Sequence, residues 1–394
     1  LSCVLFHKIL KLGHRFERLH TTGADYLFNI SIQCLIPVIL VSLFFAVTGY
    51  VLRVAWDSSN ITNFGSYLFL KLFDKISGNL FGILLYVVMT HLLWFMGIHG
   101  TNTLEAVSRH LFEQNVEINQ SLVLAGHIPT EIFSKTFLDT FVFIGGCGTA
   151  LSFVLALYIA SKQSHNRKMS FVALPSALFN ISEIAVFGFP IIFNLTMLIP
   201  FILTPVILTL ISASAIKAGL VPAVTQSVEW TIPVLLSGYQ ATGSVSGSLL
   251  QLFNLLVGVF IYMPFVRRSE KQETGKFKQA VRQMEQDMAA GERDGVIPAY
   301  LSHKYPYYYY AKTLSMDLTN AMKRGQLQLF YQPQISSQGE LHGMEALLRW
   351  NHPVTGYIAP PVLIRLAHES GILNELGYSL LDRARSEEHT SELQ

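Results

Sequence analysis

The sequence has 394 residues, of which 51% are hydrophobic and only 14% charged, with a formal net charge of +2. That balance excludes an ordinary soluble globular protein and points to the membrane. Three cysteines (Cys3, Cys34 and Cys147) include no CxxC pair, which excludes a disulfide framework and a cysteine zinc site.

Residues 1–25 are basic and amphipathic through Lys8, Lys11, Arg15 and Arg18, the pattern of a cytoplasmic loop helix. Residues 27–52 are long and apolar enough to span a bilayer. A second span is expected over 80–97, with Trp94 at the interface. Residues 101–135 are mixed and fit a re-entrant or peripheral segment. A third span, 137–160, contains Gly145-Gly146-Cys147-Gly148, a small-residue run that admits a second backbone, a ligand or a packed helix. Lys162, His165, Arg167 and Lys168 follow, a cytoplasmic signature.

Residues 174–205 are almost wholly apolar and carry one acid, Glu183, among Pro175, Gly188, Pro190, Pro200 and Pro205. A carboxylate at bilayer depth needs a partner, a proton or a wet cavity. Irregular backbone there needs the same shelter. The expectation is a broken or re-entrant element that aims Glu183 into a protein-lined pocket; the alternative is an interface between two short helices. A span over 196–216 and a Gly/Ser-rich reach, TIPVLLSGYQATGSVSG, come next. The last span, 248–266, ends at Arg267, Arg268 and Lys271, which places the rest of the chain in the cytoplasm.

Charge is sparse as far as Val266 and dense after it, so the main boundary falls there. Residues 267–312 read as a polar linker with a helix over 276–288. Its aromatic cluster, Tyr305 to Tyr310, is expected to pack onto the next domain or the membrane face. Then come a helix (313–324), a strand (328–335), a turn (337–339), a strand (341–349), a Pro/Gly loop and helices over 361–370 and 376–384. This order opens an α/β domain, and it is too short to close an eight-stranded barrel, which takes about 250 residues. No P-loop, dinucleotide fingerprint or nucleic-acid motif occurs.

His99, between Gly97-Ile98 and Gly100 at the end of a span, can titrate, donate and accept; structural interface use is the alternative. GIHG (97–100), GGCG (145–148), NISEIAVFGFPIIFN (180–194) and WTIPVLLSGYQATG (230–243) occur in that order. Together they resemble the enzyme IIC membrane subunit of the bacterial phosphotransferase sugar system, of the lactose/cellobiose/diacetylchitobiose type. The resemblance covers most of 1–266. It implies a β-linked disaccharide or similar sugar held by His99, Glu183 and Trp230. It also implies a phosphorylated IIB partner, a homodimer, and roles for Glu183 as proton acceptor and His99 as the orienting group. Where the family has Asn-Glu-Pro this chain has Ser182-Glu183-Ile184, and Glu229 stands before Trp230 where the family usually has Pro. The front third of such a subunit is not matched, so the membrane domain is expected to be N-terminally incomplete.

The stretch LQLFYQPQISSQGELHGMEALLRWNHPVTGYIAPPVLIRLAHESGIL (327–373) is similar to the start of an EAL domain, the phosphodiesterase that linearises cyclic di-GMP. Glu345-Ala346-Leu347 is the signature, flanked by YQPQ and LRW. The implied fold is a TIM-like barrel, with Glu345 a Mg²⁺ or Mn²⁺ ligand and Gln332 and Arg349 meeting cyclic di-GMP. On the residues alone, Glu345 and Arg349 lie four apart on one strand face and can instead pair with each other. His368 stands where the family commonly has Glu. The remaining ligands of that family are expected beyond residue 394, and 385–394, RSEEHTSELQ, is expected to be a non-native tail.

The expectation is therefore an α-helical polytopic membrane domain followed by the truncated opening of an α/β barrel domain (313–384). The protein would sit in the bacterial inner membrane with its C-terminal part in the cytoplasm. Its function would be sugar-responsive cyclic di-GMP signalling, or sugar uptake by a permease that carries a regulatory tail. The full-length protein would be a phosphodiesterase, and the given chain inactive.

Overall fold

The computed structural model describes residues 2–11, 26–55, 70–73, 76, 79–189 and 191–391. Arg15, Arg18 and Pro190 lie outside the described residues. The chain divides into two units, Leu1–Tyr158 with Lys168–Tyr262, and Ile159–Arg167 with Met263–Gln394.

The first unit is helical. Tyr26–Ala55, Leu80–Phe95 and Leu195–Lys217 fall where apolar spans are expected. Among the described residues, Leu195–Lys217 and Val245–Asp294 are long and apolar enough to cross a membrane. The second of these is patterned inside out. Val245, Leu249, Phe253, Leu256 and Phe260 form an exposed stripe, while Gln251, Asn254 and Tyr262 are buried. In a lipid-facing helix the apolar stripe meets acyl chains and the polar groups bond to neighbouring helices. Gln251 does so with Thr140 and the 235–238 turn, and Asn254 with Phe141 O and Ser212 Oγ.

Two expectations are corrected. Residues 137–160 are not one span: a turn of π-helix, Leu138–Val142, gives way to irregular backbone before Ala150–Ala160 begins. The glycine run causes the break, because Gly145, Gly146 and Gly148 all adopt positive φ. The irregular backbone stays satisfied through side chains from distant elements. Gly145 N donates to Asn180 Oδ1 (2.7 Å) and Gly148 N to His91 Nε2 (2.8 Å), while Gly148 O accepts from Tyr262.

The second correction concerns the prolines. Pro175 lies inside Ser164–Leu178, and Pro200 and Pro205 lie inside Leu195–Lys217. The breaks around Glu183 fall at Asn180 (φ 61°), at Phe193 (φ 55°) and, as expected, at Gly188, where the helix Glu183–Gly188 ends. Prolines are tolerated in membrane helices because neighbouring helices, Ser/Thr side chains and local backbone adjustment re-satisfy the freed groups.

In the second unit the helix Val245–Asp294 covers the whole of 276–288 without a fresh start, because 267–275 has no proline and its one glycine costs a helix only about 1 kcal/mol. Three strands, β1 (Gln328–Ile335), β2 (Leu341–His352) and β3 (Gly356–Ile358), form an antiparallel sheet in the order β1-β2-β3. Helices Tyr308–Lys323 and Pro360–Glu369 pack with it. Leu348 and Trp350 of β2 join Leu314, Leu318, Val362 and Leu366 in one core. Val281, Met284 and Met288 belong to that core too, so 281–288 is part of this packed unit rather than a free linker. Glu369 accepts from Tyr300 N and Leu301 N, and Glu285 from Ala359 N, pinning the same segment. The tyrosine cluster packs as expected: Tyr305 lies edge-on to Tyr300, and Tyr310 stacks on Phe277 at 5.6 Å. The last helix, Leu373–Ser391, continues through 385–391, the stretch expected to be extraneous.

Candidate functional site

In the first unit Leu80–Phe95 ends at Met96 and Gly97 (φ 80°), and the chain turns at His99. His99 caps the short helix Gly100–Thr103: its Nδ1 accepts from Asn102 N at 3.3 Å and lies 3.2 Å from Thr101 Oγ1. An acceptor Nδ1 means that the neutral ring carries its proton on Nε2. That Nε2 lies 3.8 Å from Glu183 Oε1, and both side chains are roughly half-exposed. Glu183 is the first residue of Glu183–Gly188. The two residues are 84 apart in sequence and share one cavity wall.

The cavity is about 510 Å³ and is lined by Trp94, His99, Asn102, Glu183 and Trp230 among others. Trp94 is buried to 2% exposure, with its ring 4.3 Å from that of His99. Trp230 is half-exposed on the wall. Lys135 and Asp139, bonded at 2.6 Å, add a fixed ion pair. A wall with the carboxylates of Glu183 and Glu105, the paired Asp139, a ring N–H donor and two indoles suits a polyhydroxylated ligand: hydroxyls bond to the polar groups and apolar C–H faces pack on the rings.

Asn180 organises this site and was not singled out in the sequence. It holds a left-handed conformation that asparagine tolerates better than most residues. Its Oδ1 takes Gly145 N–H, and its Nδ2 donates to Trp230 O (2.6 Å) and Ile232 O (3.2 Å). One amide thus joins the glycine run, the Glu183 turn and the Trp230 segment. Gly146 must be glycine here, since a Cβ would lie 2.7 Å from Asn180 O. The signal in the sequence was an asparagine among apolar residues, three before the lone acid.

In the second unit the register pairs Gln332 with Glu345 and Gln328 with Arg349, so Gln332, Glu345 and Arg349 share one sheet face. That face is largely open, and Glu345 is exposed on it. Glu345 and Arg349 make no ion pair among the described residues. Arg349 donates instead to Leu348 O and lies 5.9 and 5.5 Å from the centres of the Phe330 and Tyr357 rings. No group of three or more His, Cys, Asp or Glu able to hold a metal occurs among the described residues. A lone carboxylate beside an amide has the right donor chemistry for Mg²⁺ or Mn²⁺ but not the number of ligands. The residues present therefore do not by themselves fit a metal centre.

Residues 25–205 match the family described as "Phosphotransferase system, EIIC", and residues 315–391 match the EAL domain. The oligo-β-mannoside-specific EIIC component of Bacillus subtilis (strain 168) is 34% identical over 216 residues, covering 54% of this chain and 48% of that protein. The lichenan permease IIC component of the same organism is 35% identical over 201 residues, covering 50% and 44%. The cellobiose-specific EIIC component of Geobacillus stearothermophilus is 30% identical over 219 residues, covering 54% and 48%. Among solved structures, the IIC component of the N,N'-diacetylchitobiose-specific phosphotransferase system is 27% identical, covers 69% of this chain and 62% of that one, and has a TM-score of 0.49. The chain spans about half the length of the curated relatives it matches. Residues 25–205 are thus similar to EIIC components and residues 315–391 to EAL domains.

Proposed function

We propose that the membrane part binds a β-linked disaccharide between His99 and Glu183, and that its occupancy regulates a C-terminal cyclic di-GMP phosphodiesterase domain. The observation that carries this reading is the 3.8 Å separation of His99 Nε2 and Glu183 Oε1 on one cavity wall. That gap is too long for a direct hydrogen bond, yet a hydroxyl oxygen can sit about 2.8 Å from both, accepting from the ring and donating to the carboxylate. The names of the relatives, oligo-β-mannoside, lichenan and cellobiose, support the ligand class. Trp230 supplies a stacking face. The EAL match supports the output, with Gln332 and Arg349 facing cyclic di-GMP and Glu345 one ligand of Mg²⁺ or Mn²⁺ in a complete TIM-like barrel. The protein would be a homodimer in the bacterial inner membrane with this domain in the cytoplasm.

The test is coupling. Affinity of the full chain for cyclic di-GMP, measured with and without saturating cellobiose, is expected to differ severalfold. Equal affinities would leave two independent modules and reject the sensor.

A second reading, sugar uptake with phosphorylation, is favoured by the same His99–Glu183 pair. There a sugar hydroxyl oxygen attacks the phosphorus of a phosphocysteine on a IIB partner and the S–P bond breaks. The cysteine leaves as thiolate while Glu183 takes the hydroxyl proton. Sugar phosphate formed by the chain with phosphorylated IIB would select this reading.

A further inference from the structure

The second unit contains a cavity of about 880 Å³ that the reading above does not use. Its wall brings together Lys162 from the 159–167 segment, Arg267 and Lys271 from the long helix, and Arg324 from the end of Tyr308–Lys323. None of these four makes an ion pair among the described residues. The two carboxylates on the wall are engaged elsewhere. Glu270 accepts from Ser161 Oγ (2.8 Å), Lys162 N (3.0 Å) and Gln163 N (2.7 Å), and Asp317 lies 3.2 Å from His352 Nε2. The positive-inside rule accounts for basic residues beside a span, but it does not require three separate segments to converge on one hollow.

An independent observation sits on the same wall. Trp350 is 1% exposed, and its Nε1–H has no hydrogen-bond partner among the described residues. A buried donor left without an acceptor is destabilising unless something outside the protein accepts from it. Trp350 and His352 also alternate on β2 with Glu345 and Arg349, so this wall and the face assigned to cyclic di-GMP are opposite sides of one strand.

We propose that this cavity is a second ligand site that binds a phosphate-bearing anion, held by Lys271 and Arg324 and completed by the Trp350 indole N–H. Phosphate offers what the wall lacks: negative charge for the cations and acceptor oxygens for an N–H. The source is either the headgroup of an anionic phospholipid or a soluble phosphate compound; Arg267 and Lys271 directly follow the last apolar span, where basic residues meet anionic headgroups.

The full chain in uncharged detergent, with its tryptophans ¹⁵N-labelled at the indole and the Trp350 resonance assigned by Trp350→Phe, is titrated with dioctanoyl phosphatidylglycerol, inorganic pyrophosphate or dioctanoylglycerol. The expected result is a saturable downfield shift of the Trp350 N–H with a phosphate-bearing probe. The apparent Kd should rise roughly tenfold in Lys271→Ala/Arg324→Ala and recover in Lys271→Arg/Arg324→Lys, which separates lost charge from lost folding. A shift with the phospholipid alone identifies a headgroup site; a shift with pyrophosphate identifies a soluble ligand. No shift with either, an equal shift with dioctanoylglycerol, or unchanged affinity in the double alanine variant would overturn the proposal.

Discussion

His99 and Glu183 act on a ligand only if their spacing holds, and that spacing rests on groups that touch no ligand. His99 is oriented by Asn102 N at its Nδ1, which leaves Nε2–H for the cavity. Glu183→Gln keeps an acceptor but removes the charge, and His99→Ala removes the donor. Each is expected to weaken β-disaccharide binding by tenfold or more, read by isothermal titration of the full chain; parent-like binding by both variants would place the sugar elsewhere. Asn180→Ala would orphan Gly145 N–H together with the carbonyls of Trp230 and Ile232. A loss of about 2–3 kcal/mol is expected in detergent unfolding, with sugar affinity falling as well because the Glu183 turn and the Trp230 segment lose their common anchor.

At the scale of elements, the 281–310 segment behaves as packing. Tyr300 OH donates to Met284 O at 2.6 Å and Tyr305 OH to Asp287 Oδ2 at 2.7 Å. Burial raises both phenols above the usual tyrosine range, and for Tyr305 the Asp287 carboxylate adds to the effect. Unfolded tyrosine ionises near pH 10, so above that pH the folded form holds more protons than the unfolded one and stability falls as pH rises. Below about pH 9 this contribution is complete and flat. Urea midpoints followed from pH 8 to 11 should decline beyond about pH 10, and Tyr300→Phe with Tyr305→Phe should flatten the decline. A slope unchanged by both substitutions would mean that other groups set it. The open sheet face is the other element-scale feature: Phe330 and Tyr357 flank Arg349 there and are exposed, as on a surface that further structure or ligand would cover.

For the whole molecule, two predictions follow from charge and ligand count. Lys162, Arg267 and Lys271 follow apolar segments, so a reporter fused after Arg268 is expected to work only if it requires the cytoplasm. Periplasmic alkaline phosphatase activity at that fusion would reverse the orientation. The given chain is expected to show no hydrolysis of cyclic di-GMP with either Mg²⁺ or Mn²⁺, since Glu345 stands without further carboxylates able to complete a metal site among the described residues. Mg²⁺ gives up water reluctantly and a single carboxylate holds it poorly. Turnover that survives repurification and disappears in Glu345→Ala would show that one carboxylate suffices.

Much of the architecture was determined by local sequence. Long apolar runs mark the helices because lipid or core leaves the backbone no partner but itself. Two strand-like runs around the 337–339 turn mark β1 and β2, with Glu345 and Arg349 an even four apart on one face, and the observed register keeps them there. The apolar, broken surroundings of Glu183 suggested a pocket, and the family resemblance added His99 to it. Only the tertiary structure decided where the helices break. Pro175, Pro200 and Pro205 sit inside helices, whereas the breaks among the described residues fall at the glycine run, Asn180, Gly188 and Phe193. A break at membrane depth survives only where a distant side chain satisfies the exposed backbone, as His91 does for Gly148 across 57 residues and Asn180 does for Gly145 across 35. The Trp350 cavity is equally non-local: its cations come from three separate segments, and no window of sequence contains more than two of them.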